Sequence, residues 1–207
     1  MIAIIDYKAG NLTSVKLALE YIGVECEITS DPAKILAADR VIFPGVGAAA
    51  EAMRNLREMR LLESMKTVVS NGTPFLGICL GTQVVFERSE EDGGVDCIGF
   101  VPGTVKRFTP SDPMCKIPQM GWNTVNQRVS HPLFDGIEDN SEFYFVHSYY
   151  PSSSDSAYIK GETEYADVRF ASAVGYDNLF ATQFHPERSG RIGLKMLENF
   201  SRWNGKC

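Results

Sequence analysis

The chain has no long hydrophobic run: no stretch approaches the roughly 18 apolar residues that would suggest a membrane-spanning helix. Its first residues, "MIAIIDYKAGN", have no basic segment ahead of a long apolar one, so they predict a first β-strand and not a signal peptide. Basic residues are also outnumbered, with 20 Lys and Arg against 26 Asp and Glu and a net charge of −6. This balance argues against nucleic acid or an anionic membrane as the main partner.

Cysteine is too sparse to suggest a disulfide or metal framework. The five cysteines are odd in number and widely scattered: Cys26, Cys79, Cys97, Cys115 and Cys207. They fit neither a set of disulfides nor the paired spacing of zinc ligands. We therefore predict a cytoplasmic protein with reduced thiols, with no metal and no cofactor.

The length of 207 residues suits one domain with a substantial core, and no repeat or linker divides it, so residues 1–207 are predicted to form a single domain. The first half alternates strand and helix patterns, which is typical of a parallel sheet with helices on both faces. The predicted strands are "IAIID", "VECEI", "RVIFPG" and "PFLGIC". The predicted helices are one capped by Asn11, one at residues 48–56, one at 61–69 and one whose first residues are 82–87.

The second half consists mainly of strand-like segments separated by turn residues: "GTVKRF", "FYFVHSYYP", "RFASAVGYDN" and "LFATQFHPE". Asp177 and Asn178 lie between two of these segments, which predicts a hairpin. A last helix is predicted at residues 189–203. The pattern therefore indicates an α/β fold with a mostly parallel central sheet flanked by helices, and additional antiparallel strands in the C-terminal half.

The stretch "PFLGICLGTQ" places Cys79 between Gly77 and Gly81, where a buried strand meets a helix. This is the pattern of a nucleophile elbow, with sulfur in place of the serine oxygen. The backbone at such an apex is unusual and neighbouring chain passes close to it, so glycine is needed on both sides. The following helix would favour the thiolate, and the Leu80 amide would be free to bind an oxyanion. The alternative is an inert buried cysteine with glycines that allow tight helix packing.

A thiolate nucleophile needs a proton carrier, and the chain has three histidines. His131 lies beside a proline in a polar stretch and is predicted to be a loop residue, while His147 lies in an apolar strand and fits a core histidine. His185 ends the predicted strand "LFATQFHPE". Glu187 follows two positions later, so in an extended chain it would project from the same face and orient the imidazole. Cys79, His185 and Glu187 therefore form a candidate triad.

The loop "FPGVGAAAEAM", residues 43–53, follows a predicted strand and precedes a predicted helix. Its two glycines are half of a dinucleotide-binding fingerprint, but the third glycine is missing, so that signal is weak. In another interpretation the exposed amides of Val46 and Gly47 face the elbow as an oxyanion loop. In a third, the loop is an ordinary glycine turn beside a helix.

Together these motifs resemble those of the class I (triad) glutamine amidotransferases. "GICLGTQ" and "HPE" match the two signature motifs of that family, and "FPGVG" matches its oxyanion strand. Within the family the sequence is most similar to the glutaminase subunits of imidazole glycerol phosphate synthase, from histidine biosynthesis. The further matching segments are "DYKAGNL", "PQMGWN", "FYFVHSYY" and "HPERSG", which span nearly the whole chain in the expected order. The resemblance implies a flavodoxin-like fold of three layers.

The resemblance also implies the reaction, which is hydrolysis of the side-chain amide of glutamine to glutamate and ammonia. Cys79 would form a thioester, His185 would pass a proton to the departing ammonia, and Glu187 would hold His185 in place. The implied oxyanion amides are those of Val46, Gly47 and Leu80. The implied substrate-binding residues are Gln83, Ser148 and Tyr149. Without the family, Gln83 would be interpreted as a solvated helix residue and the other two as ordinary strand residues.

The same resemblance implies a partner, a cyclase subunit with a (β/α)8 barrel that forms a heterodimer with this chain. Ammonia would reach it through a tunnel and yield imidazole glycerol phosphate and an aminoimidazole carboxamide ribotide. We expect weak glutamine turnover by the chain alone. The implied interface positions are Asn11, Trp122, Asn123, Tyr144 and Arg188. Trp122 also fits on physical grounds, because tryptophan is enriched in interface cores, although a buried core aromatic is the alternative.

Two other functions stay open from the sequence. One is the glutaminase subunit of another synthase, for example in pyridoxal phosphate or anthranilate synthesis, which "PQMGWN" and "HPERSG" argue against. The other is a non-catalytic partner-binding domain that keeps an elbow-shaped turn, which the complete set of Cys79, His185 and Glu187 argues against.

Overall fold

The computed structural model describes residues 1–8 and 11–206; Ala9 and Gly10 of the "DYKAGNL" motif and Cys207 lie outside the described residues. The first half has the predicted alternation. Its elements are β1 (Ile2–Ile5), α1 (Leu12–Tyr21), β2 (Cys26–Thr29), α2 (Pro32–Ala37), β3 (Arg40–Gly45), α3 (Ala49–Glu58), α4 (Leu61–Ser70), β4 (Phe75–Cys79) and α5 (Leu80–Val84). Helix α2 was not predicted, although Asp31, which caps it, and Pro32 at its first position are ordinary start signals.

The second half is rich in strands, as predicted. Its elements are β5 (Phe86–Ser89), β6 (Val95–Asp96), β7 (Val101–Arg107), β8 (Gln119–Gln127), β9 (Ser141–His147), β10 (Tyr149–Ser153), β11 (Ile159–Tyr165), β12 (Val168–Tyr176), β13 (Leu179–Thr182) and α6 (Gly190–Arg202). The predicted hairpin at Asp177 and Asn178 is confirmed, because β12 and β13 pair antiparallel with Tyr176 opposite Leu179.

The central sheet has nine strands in the order β2-β1-β3-β4-β13-β12-β11-β8-β9. The strands from β2 to β13 pair in parallel, and every pair from β13 to β9 is antiparallel. A second sheet of four strands has the order β10-β7-β5-β6. The predicted α/β class is therefore confirmed, with the antiparallel strands in the C-terminal half.

The inner parallel strands β1, β3, β4 and β13 are buried on both faces, which makes three layers. Ala3, Ile5 and Phe43 point into one core, which α2, α3, α4 and α5 cover, while Ile4 and Ile42 point into the other, which α1 and α6 cover. Apolar runs such as "IAII" satisfy both cores because successive side chains of a strand alternate in direction. Among the described residues no helix is long and apolar enough to cross a membrane.

Three local predictions are wrong. The helix after Cys79 begins at Leu80 and ends at Val84, and Phe86 already starts a strand that pairs with β7, because its buried ring belongs to the core under the second sheet. The segment "FYFVHSYYP" is two strands in two different sheets, divided at Ser148. Strand β13 ends at Thr182, so the "HPE" segment is not extended and lies in a 3-10 turn, Pro186–Arg188.

The predicted helix after Asn11 is present, but the Asn11 side chain makes no capping hydrogen bond to it.

Candidate active site

Strand β4 delivers Cys79 to the carboxyl edge of the parallel sheet in a sharply bent conformation. Its φ of 55° and ψ of −108° lie in a region that non-glycine residues rarely adopt. A Cβ on Gly81 would lie 2.0 Å from the Phe43 carbonyl oxygen, and one on Gly77 would lie 3.0 Å from the Ala181 Cβ. These distances give the physical reason for the glycines on both sides of the cysteine: β3, α5 and β13 pack against the bend more closely than side chains would permit.

The Cys79 sulfur is almost completely enclosed, with 6% of the residue exposed. It lies 3.9 Å from the Val146 carbonyl oxygen on β9, and the side-chain amide of Gln183 lies 3.7 Å away. The Cys79 sulfur therefore contacts the antiparallel strand β9, although the Cys79 backbone belongs to the parallel strand β4.

His185 and Glu187 form a buried pair beside this sulfur. Nδ1 of His185 donates to Oε1 of Glu187 at 2.8 Å, and the backbone amide of His185 donates to the Tyr144 carbonyl on β9 at 2.9 Å. Burial by itself lowers the pKa of His185, but the nearby Cys79 sulfur and the Glu187 carboxylate outweigh burial and raise this pKa to about 10. The 3-10 turn, not strand periodicity, brings the carboxylate to the imidazole.

The other two histidines have the opposite electrostatic character. Burial lowers the pKa of both His131 and His147 to about 4. His131 precedes a short turn, as a loop residue does, but its ring is buried against Phe180 and Trp203 and its Nδ1 accepts from the Leu133 amide. His147 is buried in the core among aromatic rings. His185 is therefore the one histidine that Cys79 and a carboxylate hold in its charged form.

The predicted oxyanion residues border the same space. Gly45 lies directly opposite Cys79 in the pairing of β3 with β4, so the next two residues, Val46 and Gly47, rise beside the sulfur. Gly47 has a φ of 97°, which glycine adopts at low cost. Leu80 is the first residue of α5, and amides in the first turn of a helix have no partner within it.

These groups line a cleft of about 380 Å³. The residues that line it are Val46, Gly47, Cys79, Leu80, Gln83, Glu91, Pro118, Val146, His147, Ser148, Tyr149 and His185. Gln83, Ser148 and Tyr149, the predicted substrate-binding residues, are thus brought together with the triad. Gln83 is buried and not solvated, and its Nε2 donates to the Tyr149 carbonyl at 3.0 Å.

Glu91, which was not predicted from the sequence, contributes a carboxylate to the cleft. Its Oε2 accepts from the Ala49 amide at the start of α3, 2.6 Å away. Burial raises the pKa of Glu91, and the charge of Asp92 adds to this, while the Ala49 hydrogen bond opposes it. Glu91 lies in the acidic stretch "SEEDGG", where nothing distinguishes it from its neighbours in sequence.

The predicted partner residues lie outside the cleft lining, on β8, on β9, in the 3-10 turn after His185 and just before α1. Trp122 and Tyr144 are cross-strand partners on β8 and β9, with ring centroids 6.2 Å apart, and Trp122 is 55% exposed. It is therefore not the buried core aromatic that was the alternative. Asn11 is half-buried and borders a small cavity shared with His185 and Glu187.

Asn123 and Arg188 lie on different elements, β8 and the 3-10 turn after His185. Asn123 donates to the Glu164 carbonyl at 2.9 Å. Arg188 is exposed in the 3-10 turn that follows His185.

Comparison with protein families matches residues 3–202 to the family "Glutamine amidotransferase class-I". Among individual proteins, the imidazole glycerol phosphate synthase subunit HisH of Herpetosiphon aurantiacus is 51% identical over 200 residues, which are 97% of this chain and 93% of the relative. The subunit of the same name from Dehalococcoides mccartyi strain CBDB1 is 52% identical over 200 residues, 97% of this chain and 96% of the relative.

Solved structures show the same fold at low sequence identity. PurLQS from Thermotoga maritima has a TM-score of 0.73 at 17% identity, covering 96% of this chain and 96% of that one. The glutaminase domain of Trypanosoma brucei CTPS with bound acivicin has a TM-score of 0.66 at 18% identity, covering 100% of this chain and 97% of that one.

Proposed function

The chain belongs to the class-I glutamine amidotransferases, within them to the HisH family, and on that premise we propose that it is the glutaminase subunit of an imidazole glycerol phosphate synthase. It hydrolyses glutamine to glutamate and ammonia and supplies the ammonia for histidine biosynthesis. The observation that carries the proposal is the buried Cys79–His185–Glu187 set at the edge of one cleft.

The proposed reaction runs through a thioester. The Cys79 thiolate attacks the side-chain amide carbon of glutamine, and the amides of Val46, Gly47 and Leu80 stabilise the oxyanion that forms. His185, protonated beside the sulfur, gives a proton to the leaving nitrogen, so ammonia departs as the C–N bond breaks. His185 then accepts a proton from water, which attacks the thioester and releases glutamate with regeneration of the thiolate. Glu187 keeps the imidazole in orientation throughout.

The rest of the cleft is proposed to bind the amino-acid end of the substrate. Gln83, Ser148 and Tyr149 supply polar groups along one wall. Glu91 is the carboxylate of the lining set, so it is the group suited to pair with the α-ammonium of glutamine. Its Oε2 is already occupied by the Ala49 amide, and this hydrogen bond would hold the carboxylate ready for the ligand.

The proposed partner is a cyclase subunit with a (β/α)8 barrel, with which the chain forms a heterodimer. The relatives' designation as subunits supports a partner, and the exposed Trp122 beside the partly buried Tyr144 offers an aromatic anchor for it. Asn11, Asn123 and Arg188 complete the proposed contact. In the cyclase, ammonia would be consumed to give imidazole glycerol phosphate and the aminoimidazole carboxamide ribotide.

We propose in addition that residues 1–207 act as one domain in the cytoplasm. The nine-stranded sheet supports the single domain, because it joins β1 near the start of the chain to β13 near its end in one hydrogen-bonded layer. A Cys–His–Glu triad needs no metal or cofactor for amide hydrolysis.

The test is glutamate production from glutamine by the purified chain, alone and with the cyclase subunit and its ligand. We expect weak turnover alone, strong stimulation by the liganded partner, and loss of both in Cys79→Ala. Stimulated turnover that survives Cys79→Ala would contradict the mechanism. Co-purification with a different synthase in place of the cyclase would contradict the pathway.

A further inference from the structure

Gln183 is a buried polar residue that the proposed mechanism has not used. It follows the end of β13, two residues before His185, and none of its surface is exposed. Its backbone amide donates to the Ser172 carbonyl at 2.9 Å, so the residue is fixed to β12. A glutamine side chain enclosed in this way is stable only when its amide group has hydrogen-bond partners.

The partners of the Gln183 side chain are two residues of the site. Its Oε1 accepts from Nε2 of Gln83 at 3.0 Å, and its own Nε2 lies 3.7 Å from the Cys79 sulfur. Gln83 in turn donates to the Tyr149 carbonyl at 3.0 Å. Gln183 is therefore the middle of a chain of hydrogen bonds that runs from β10 through α5 to the nucleophile.

The carbonyl of Tyr149 determines the direction of every bond in this chain. A backbone carbonyl only accepts, so Gln83 must turn its NH2 group toward it. Because the same NH2 group faces Gln183, Gln183 must present its oxygen to Gln83. Its NH2 group is then left for the Cys79 sulfur, as a donor and never as an acceptor.

A hydrogen-bond donor at this position would stabilise the Cys79 thiolate, which the surrounding backbone stabilises only weakly. Helix α5 has only five residues, so the aligned dipole behind Cys79 is short. The Val146 carbonyl, 3.9 Å from the sulfur, presents a partial negative charge and disfavours a thiolate. The amide N–H of Gln183, the second contact of the sulfur, offsets the repulsion between the thiolate and the Val146 carbonyl. It can do so because hydrogen bonds to charged acceptors are stronger than neutral ones.

We propose that Gln183 donates a side-chain hydrogen bond to the Cys79 sulfur, stabilising the thiolate and holding it in place, with its own orientation set by Gln83 and Tyr149. The inference deepens the glutaminase function proposed above and rests on it for its role in turnover. It assigns Gln83 a second task, since the residue that contacts the substrate cleft also orients the amide that faces the nucleophile.

The test is the pH profile of Cys79 alkylation by iodoacetamide, followed on the Cys79 peptide by mass spectrometry. Gln183→Leu removes the donor. Gln183→Glu keeps the shape and the bond to Gln83 but turns a carboxylate oxygen toward the sulfur. We expect the midpoint of the profile to rise by about one pH unit in Gln183→Leu and further in Gln183→Glu. Stimulated glutamate production should fall by about tenfold or more in both.

Gln127→Leu is the matched control, because the side-chain amide of Gln127 also makes hydrogen bonds within the fold, but it donates to the Ile137 and Glu138 carbonyls and not to the Cys79 sulfur. Its alkylation midpoint should equal that of the wild type. Gln183 variants that unfold at lower temperature yet keep the wild-type midpoint would show a purely structural role and overturn the inference. The alkylation profile separates this inference from the proposed glutaminase function. If the midpoint shifts in the Gln183 variants but the wild-type chain never makes glutamate, the hydrogen bond to sulfur is supported and the glutaminase function is contradicted.

Discussion

The floor and the rim of the cleft are built in different ways. On the floor, Cys79, Gln83, Gln183 and His185 are at most 6% exposed, and each donates to, or closely contacts, a backbone carbonyl on another strand. On the rim, Val46 is 41% exposed. Trp122, outside the cleft lining on the strand that pairs with β9, is 55% exposed.

The difference shows which parts of the site the chain assembles on its own. Buried polar groups must find partners within the fold, so the geometry of the floor follows from folding alone. Exposed apolar groups beside the cleft gain stability only when another surface covers them. A glutaminase that is weak alone and strong with its partner would fit this division, since the rim includes part of the proposed oxyanion loop.

The largest expected effect comes from Gly81→Ala, which tests whether the floor depends on close backbone packing. The new Cβ would lie 2.0 Å from the Phe43 carbonyl oxygen, so β3 and α5 would have to separate. We expect loss of glutaminase activity and a destabilisation of about 1–3 kcal/mol or more, seen as a lower melting temperature. Gly77→Ala should be milder, because its nearest contact is a side-chain Cβ at 3.0 Å. Equal effects of the two would contradict this account of the bend.

Glu187→Gln tests the electrostatics of the floor and should lower stimulated turnover by about two to four orders of magnitude. Folding raises the pKa of His185 from 6.5 to about 10. Its contribution to stability is therefore complete below about pH 6.5 and is lost as pH rises through 10.

Without the Glu187 charge the pKa of His185 falls, so this loss of stability should occur at lower pH. Melting temperatures measured from pH 6 to about 10.5 would reveal the change. Glu63→Gln, which removes an exposed carboxylate paired with Lys66, is the control. Superimposable pH profiles for Glu187→Gln and wild type would show that the pair does not hold the proton.

Glu91→Gln tests whether the Glu91 carboxylate, which lies between the buried floor and the exposed rim, binds the substrate. The amide oxygen can still accept from Ala49, so α3 keeps its contact, but the charge for the α-ammonium is gone. We expect KM for glutamine to rise by about ten- to a hundredfold with a smaller change in kcat. Glu91→Ala should add a loss of stability, because the Ala49 amide loses its partner. A fall in kcat at constant KM would place Glu91 outside substrate binding.

Trp122→Ala has the smallest expected effect on the chain itself, because more than half of the residue is exposed. We expect the melting temperature and the weak basal turnover to stay near wild-type values. Affinity for the cyclase should fall by about ten- to a hundredfold, measured by titration calorimetry. Met114→Ala, another exposed apolar residue, at 81%, is the comparison variant. A large stability loss in Trp122→Ala would instead assign the ring to the core.

Local patterns were sufficient for much of this architecture. Alternation in the first half predicted strands β1 to β4 and most helices between them, because buried strands must be apolar throughout and helices must have one apolar face. The pattern failed after Cys79, where "VVF" continues an apolar run that suits a helix or a strand equally. Tertiary contacts decided it: Phe86 pairs with Val101 and enters the core.

The candidate site divides in the same way. The sequence by itself determined the elbow glycines, the cysteine between them, and a histidine two positions before a glutamate, because these are local requirements of spacing and backbone. Only the tertiary structure decided that a 3-10 turn closes the His185–Glu187 pair, that Glu91 reaches the cleft, and that Gln183 contacts sulfur. These contacts join residues on separate strands and turns, and their hydrogen bonds form only when folding excludes water from the space between them.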